Sequence, residues 1–166
     1  MNNVTRSIRR SINRDWRYRW KITVRADRVR YTAVSCPGGR WENEWGIVEP
    51  DPDRPKTHTK LTLKSGYSYD GCSVVPDAPG TEDASGFHDL VYQFMEAIAC
   101  QWNKRLSVVR SFADHVFSDL MRQDKCPVRG LYFTGVRLFG GAFHWIAKQF
   151  TSDEPKKPKW RGMALA

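Results

Sequence analysis

Residues 87–92 read Phe-His-Asp-Leu-Val-Tyr, and residues 112–117 read Phe-Ala-Asp-His-Val-Phe. Apolar residues recur at helical spacing in and around both stretches, which predicts two consecutive helices. His88 and Tyr92 are four residues apart and therefore share one helical face. Asp114 on the second helix is placed to bind the imidazole, an arrangement that fixes a histidine tautomer. Two interpretations follow: a general-base site, or a polar cluster that pins two helices together.

The rest of the chain predicts an α+β fold in a single domain, residues 15–150. Alternating apolar and polar residues indicate a small antiparallel sheet over residues 15–65. A loop rich in Gly, Pro, Asp and Ser spans residues 66–84, and a loop of this length inside a domain is usually functional. Three helices should fill residues 84–150, at about 84–102, 107–124 and 129–149.

The strand pairing is also predicted from the alternation. Residues 16–34 have apolar residues on one side and arginines on the other, and residues 28–34 are expected to return as a hairpin partner. Residues 41–48 should form another strand. Residues 57–63 alternate again and should pair with an earlier strand.

Positive charge is concentrated at the two ends of the chain. Residues 1–30 hold ten Lys or Arg against two Asp, and residues 151–166 hold four against two acidic residues, within a net charge of +9. We therefore predict a basic arm at residues 1–14 and a basic tail at residues 151–166. Such ends suit an anionic partner, such as nucleic acid, anionic lipid or an acidic protein surface, or they act only as solubilising arms.

The spacing of the cysteines and the composition of the first residues indicate the cellular compartment in which the protein is made. The four cysteines lack the close spacing of a zinc knuckle. Residues 1–15 are polar and basic with no apolar run, so we expect no secretory signal. Synthesis in the cytoplasm with mostly free thiols is expected.

The longest apolar stretch covers residues 131–150 and has Arg137 near its middle. A central arginine is costly inside a bilayer, which argues against a spanning helix. The pattern predicts a buried helix or one that lies at a membrane surface.

The loop and the two helices carry Tyr69-Asp70-Gly71-Cys72-Ser73, then His88-Asp89-x-x-Tyr92, then Ala113-Asp114. This order resembles the core of phospholipase A(2), including the form found in parvovirus capsid proteins. The resemblance implies that His88 activates water, with Tyr92 and Asp114 as supports. It also implies a calcium site formed by Asp89 and the loop around Gly71, with Asp70 either a further ligand or a turn residue.

A second resemblance extends over about residues 66–141. The blocks are Asp70-Gly71-Cys72-Ser73, His88-Asp89-x-x-Tyr92, Ala113-Asp114-x-x-Phe117 and Val136-Arg137-x-Phe139-Gly140. In this order they look like a small family of bacteriophage and prophage proteins known as a domain of unknown function. The resemblance implies a tailed-phage or prophage origin and no particular activity.

Three classes of function fit these patterns. The first is a virion component, from the tail or associated with the capsid, made in the cytoplasm of the host bacterium and held to other virion proteins by its basic ends. The second is a calcium-dependent hydrolase acting on phospholipid or another ester of the host envelope. The third is a nucleic-acid-binding accessory protein. It fits less well, because arginines and aromatic residues fall on opposite faces of the first strand.

Overall fold

The protein has an α+β fold, as predicted from the alternation and helical periodicity. The computed structural model describes residues 22–69 and 80–138. The predicted arm 1–14, the tail 151–166, residues 70–79 of the loop and residues 139–149 of the last helix lie outside them. The first half forms six strands: β1 (Ile22–Thr23), β2 (Arg28–Thr32), β3 (Trp41–Glu42), β4 (Gly46–Pro50), β5 (Thr59–Leu63) and β6 (Ser68–Tyr69). The second half is helical: α1 (Glu82–Gln93), α2 (Met95–Trp102), α3 (Leu106–Gln123) and α4 over residues 129–138.

The larger sheet is antiparallel with the strand order β2-β5-β4-β3. Its inner strand β5 completely buries Thr59, Leu61 and Leu63, whereas Lys60 is half-buried and Thr62, on the same face as Lys60, is 6% exposed. This is the alternation expected of a strand with one face on the core. The prediction that residues 57–63 pair with an earlier strand is confirmed, because β5 pairs with both β2 and β4.

The hairpin predicted within residues 16–34 is wrong for the described part of that segment. β2 pairs with β5, while β1 pairs with β6 through Ile22 opposite Tyr69. Backbone hydrogen bonds from Val24 to Tyr67 and from Gly66 to Val24 continue this pairing beyond β1. A period of two sets which face of a strand is buried, but it does not choose the partner strand.

The first predicted helix is divided in two at Phe94. This residue has φ −109° and ψ 16°, outside helical geometry, and α2 begins at the next residue. The ring of Phe94 packs against Trp41 of β3 with centroids 5.5 Å apart. The single helix predicted for residues 84–102 is therefore wrong, because a tertiary contact redirects the chain where the periodicity shows no break.

Helix α1 lies between the sheet and α3. Gly86 makes the close approach to the sheet possible, since a Cβ there would lie 2.7 Å from Cζ of Tyr69. Arg30 of β2 binds Asp83 at the start of α1 and Asp124 just after α3. The start of α1 thus lies beside the end of α3, so these two helices run antiparallel.

Candidate functional site

The carboxylate of Asp114 is the centre of the candidate site, and it is completely buried. Its Oδ1 accepts a hydrogen bond from the Tyr92 hydroxyl at 2.7 Å and lies 3.4 Å from Nε2 of His88. An ionised carboxylate can only accept, so Nε2 carries the proton in this contact. The structure therefore brings together the three side chains named from helical phase. Their catalytic roles stay a prediction.

The imidazole of His88 is held by aromatic rings on two sides. Its ring centroid lies 4.2 Å from that of Tyr92 and 5.0 Å from that of Phe117. Phe117 follows Asp114 by three residues, so both belong to one face of α3. Ring packing and the contact with Asp114 together restrict the orientation of the imidazole, which a proton-transfer site requires.

The second ring nitrogen of His88 lies on the side of Asp89. Its Nδ1 is 3.7 Å from Oδ1 of Asp89, too far for a good hydrogen bond but close enough for electrostatic attraction. Burial alone lowers the pKa of His88, yet hydrogen bonding and charge from Asp114 and Asp89 outweigh it, so the pKa is raised. The site therefore stabilises the imidazolium form.

The pKa values of the two partners of His88, Asp114 and Tyr92, are shifted in different directions. Burial raises the pKa of Asp114, but hydrogen bonds from His88 and Tyr92 reverse this, so the pKa of its carboxyl is lowered. Burial and the bond to Asp114 raise the pKa of the Tyr92 phenol. At neutral pH the site thus holds an ionised Asp114 and a protonated phenol, the states in which their bond is strongest.

Two arginines, Arg110 and Arg137, belong to the site although the sequence did not assign them to it. Nη1 of Arg137 lies 3.4 Å from Oδ2 of Asp114. Arg110 donates from Nη2 to the carbonyl oxygens of Arg137 at 2.8 Å and Val136 at 3.4 Å, which fastens α4 to α3. Arg110 precedes Asp114 by four residues, so its position on the same helical face was a usable signal. Arg137 stood in one of the phage-family blocks, but its spacing along the chain did not indicate a contact with Asp114.

The structure describes only one of the three predicted calcium ligands, Asp89. Asp89 has a partly exposed carboxylate beside His88, and carboxylate oxygen is the donor that calcium prefers. Asp70 and Gly71, the other predicted ligands, lie outside the described residues. Within residues 22–69 and 80–138, no group of three His, Cys, Asp or Glu side chains is arranged to hold a metal. The donor chemistry of Asp89 fits calcium, and the further ligands would have to come from the loop.

His115, the neighbour of Asp114, faces away from this cluster. It is exposed, its Nδ1–H donates to the carbonyl of Ser111 at 2.6 Å, and its ring contacts Phe133. It also borders a shallow open groove between the chain after β2 and the start of α3. Its position on the helix separates His115 from the pair His88 and Asp114, so it serves as an internal control for His88.

In the described part of the chain, no helix is both long and apolar enough to cross a membrane. Comparisons of the sequence and the structure with models of known protein families, with curated proteins and with solved structures found no match. The resemblances to the phage family and to phospholipase A(2) therefore stay predictions.

Proposed function

We propose that this chain is a bacteriophage virion component whose helical core carries a calcium-assisted general-base site for the hydrolysis of phospholipid esters. The observation that supports the hydrolytic part is the contact of His88 Nε2 with Asp114, a buried carboxylate that Tyr92 also binds. The phage origin rests on the order of the four sequence blocks.

The mechanism uses His88 as the base. With Nε2 directed at Asp114, Nδ1 is the nitrogen that accepts a proton from water as the water oxygen attacks the ester carbonyl. Asp114 stabilises the imidazolium formed in this step, and Tyr92 holds that carboxylate in place. The imidazolium then returns the proton to the alkoxide that leaves when the ester bond breaks. Bound calcium, held by Asp89 and predicted loop ligands Asp70 and Gly71, would polarise the carbonyl.

The dependence of the rate on pH tests the role of His88. Only the neutral imidazole acts as the base, so the rate should rise with pH as His88 loses its proton. Asp114→Asn removes a negative charge from the imidazole and should move the midpoint of this rise to lower pH.

The direct test is release of fatty acid from phospholipid vesicles by the full chain, with calcium and with a chelator. His88→Ala should lower the rate by about 100- to 10,000-fold, the usual effect of removing a general base. His115→Ala is the matched control, since it makes the same change one residue from Asp114 but outside the cluster, and it should retain the parental rate. Absence of lipid cleavage by the folded parent protein at every calcium concentration would refute the hydrolytic proposal.

A purely structural role for the cluster is the second candidate, and the contact of Arg137 with Asp114 favours it. With His88, Tyr92 and Arg137 around it, Asp114 is satisfied without any substrate, as in polar clusters that only specify how helices pack. This alternative predicts no turnover in the parent. It also predicts that substitutions at His88 and Asp114 lower the stability of the protein, with no enzymatic activity to be measured in the parent or the variants.

The nucleic-acid-binding alternative depends on the arginine face predicted for residues 16–25. Residues 16–21 lie outside the described residues, and Arg25 is exposed. That alternative stays a prediction, and the described contacts add nothing in its favour.

A further inference from the structure

Helix α4 exposes two large apolar side chains on one face. Leu131 and Leu138 are each 68% exposed, and their separation of seven residues places them two turns apart on the same face. Val128, just before the helix, is also exposed. Tyr132 is buried, and Val136 packs against the core. The helix is therefore bound to the protein along one side and presents leucines to solvent along another.

The segment that carries this face holds only basic charged side chains. Residues 125–138 contain Lys125, Arg129 and Arg137 and have no Asp or Glu. Lys125 is exposed, and the Arg137 side chain is 44% exposed. Long basic side chains can lay their methylene groups on apolar surface while the charge reaches outward.

We propose that the α4 face, defined as Val128, Leu131 and Leu138 with the flanking Lys125 and Arg137, docks onto the surface of an anionic phospholipid bilayer. Exposed leucines beside basic residues match the two layers of such a surface, acyl chains below and phosphates above. Because residues 125–138 contain no Asp or Glu, this segment has no carboxylate that would repel anionic headgroups. Charge complementarity thus selects anionic lipid as the occupant.

This docking would place lipid beside the candidate site. Arg137 contacts Asp114, and Arg110 fastens the end of the described α4 to α3, so the α4 face and the His88 cluster share one rigid support. The choice of phospholipid rests on the proposed function as well as on charge complementarity, but binding to a bilayer needs no cleavage.

The test is cosedimentation of the full chain with vesicles of phosphatidylcholine alone, or with phosphatidylglycerol added, in the presence of a calcium chelator. The double variant Leu131→Ser/Leu138→Ser should bind phosphatidylglycerol vesicles at least about tenfold more weakly, since each leucine loses apolar burial. The matched double variant Val29→Ser/Tyr31→Ser removes two other exposed apolar side chains, on β2, and should bind like the parent.

A charge variant completes the design. Lys125→Gln should weaken binding to phosphatidylglycerol vesicles by about fivefold, the usual contribution of one basic residue near an anionic surface, with no effect on phosphatidylcholine vesicles. The basic ends are unchanged in all variants, so a loss is attributable to the α4 face.

The proposal is overturned if the parent does not bind phosphatidylglycerol vesicles, if the leucine variant binds as well as the parent, or if the β2 control loses as much. Circular dichroism of each variant verifies that the fold is retained, as expected for exposed positions. Binding of vesicles without lipid cleavage would support this inference and refute the hydrolytic proposal. Lipid cleavage by the parent, together with normal binding by the leucine variant, would support the hydrolytic proposal and refute this inference.

Discussion

Replacing Tyr92 by phenylalanine removes one oxygen atom from the cluster around Asp114 and changes little else. The lost hydroxyl donates to Asp114 at 2.7 Å, whereas the other two contacts of that carboxylate, from His88 and Arg137, are 3.4 Å long. Asp114 is completely buried, so solvent cannot replace the lost donor. A hydrogen bond to a charged group contributes about 1.5–3 kcal/mol, and we expect Tyr92→Phe to lower the free energy of unfolding by about 2 kcal/mol at neutral pH.

Urea denaturation followed by tryptophan fluorescence measures this difference. For a domain of this size the same loss corresponds to a decrease in Tm of about 4–8 °C. Tyr31→Phe is the matched control, because Tyr31 is 45% exposed, and its free energy of unfolding should change by no more than about 0.5 kcal/mol.

The difference should also depend on pH. The pKa of Asp114 is lower in the folded protein than its ordinary value of 3.8, so its ionised bonds stabilise the fold above that pH. This contribution disappears as the pH falls through the folded pKa. The reasoning is refuted if Tyr92→Phe at neutral pH costs no more than Tyr31→Phe.

Three further outcomes are expected. Asp119 accepts hydrogen bonds from Thr32 and from the backbone of Ala33, so Asp119→Asn should lower the free energy of unfolding by about 1–3 kcal/mol, measured in urea at neutral pH. A Cβ at Gly46 would lie 2.7 Å from a carbonyl oxygen, so Gly46→Ala should cost about 1–3 kcal/mol; Gly39→Ala, with nothing within 4 Å, should not. Association that depends on residues 1–14 and 151–166 should weaken as salt rises, and a salt titration showing equal association of the full and end-deleted chains would contradict it.

The candidate site was predictable where its signal was local. His88 and Tyr92 share a face because they lie one helical turn apart, and the short link before α3 brings Asp114 opposite them. Arg110 was within reach of the same argument. Arg137 was not, because its position at Asp114 depends on how α4 closes against α3 through a turn, and spacing in the chain does not encode that closure.

The amino-acid sequence by itself determined which residues alternate toward the core in β5, which fall on one face of α1, and that strands precede helices. These properties follow from the periodicity of side-chain direction, two residues in a strand and 3.6 in a helix, which is set over a few residues. Only the tertiary structure decided that β2 pairs with β5, that the helix breaks at Phe94, and that Asp114 is buried among three donors. Those outcomes depend on packing between distant segments, where the free energy of burial selects one arrangement among several that the local pattern allows equally.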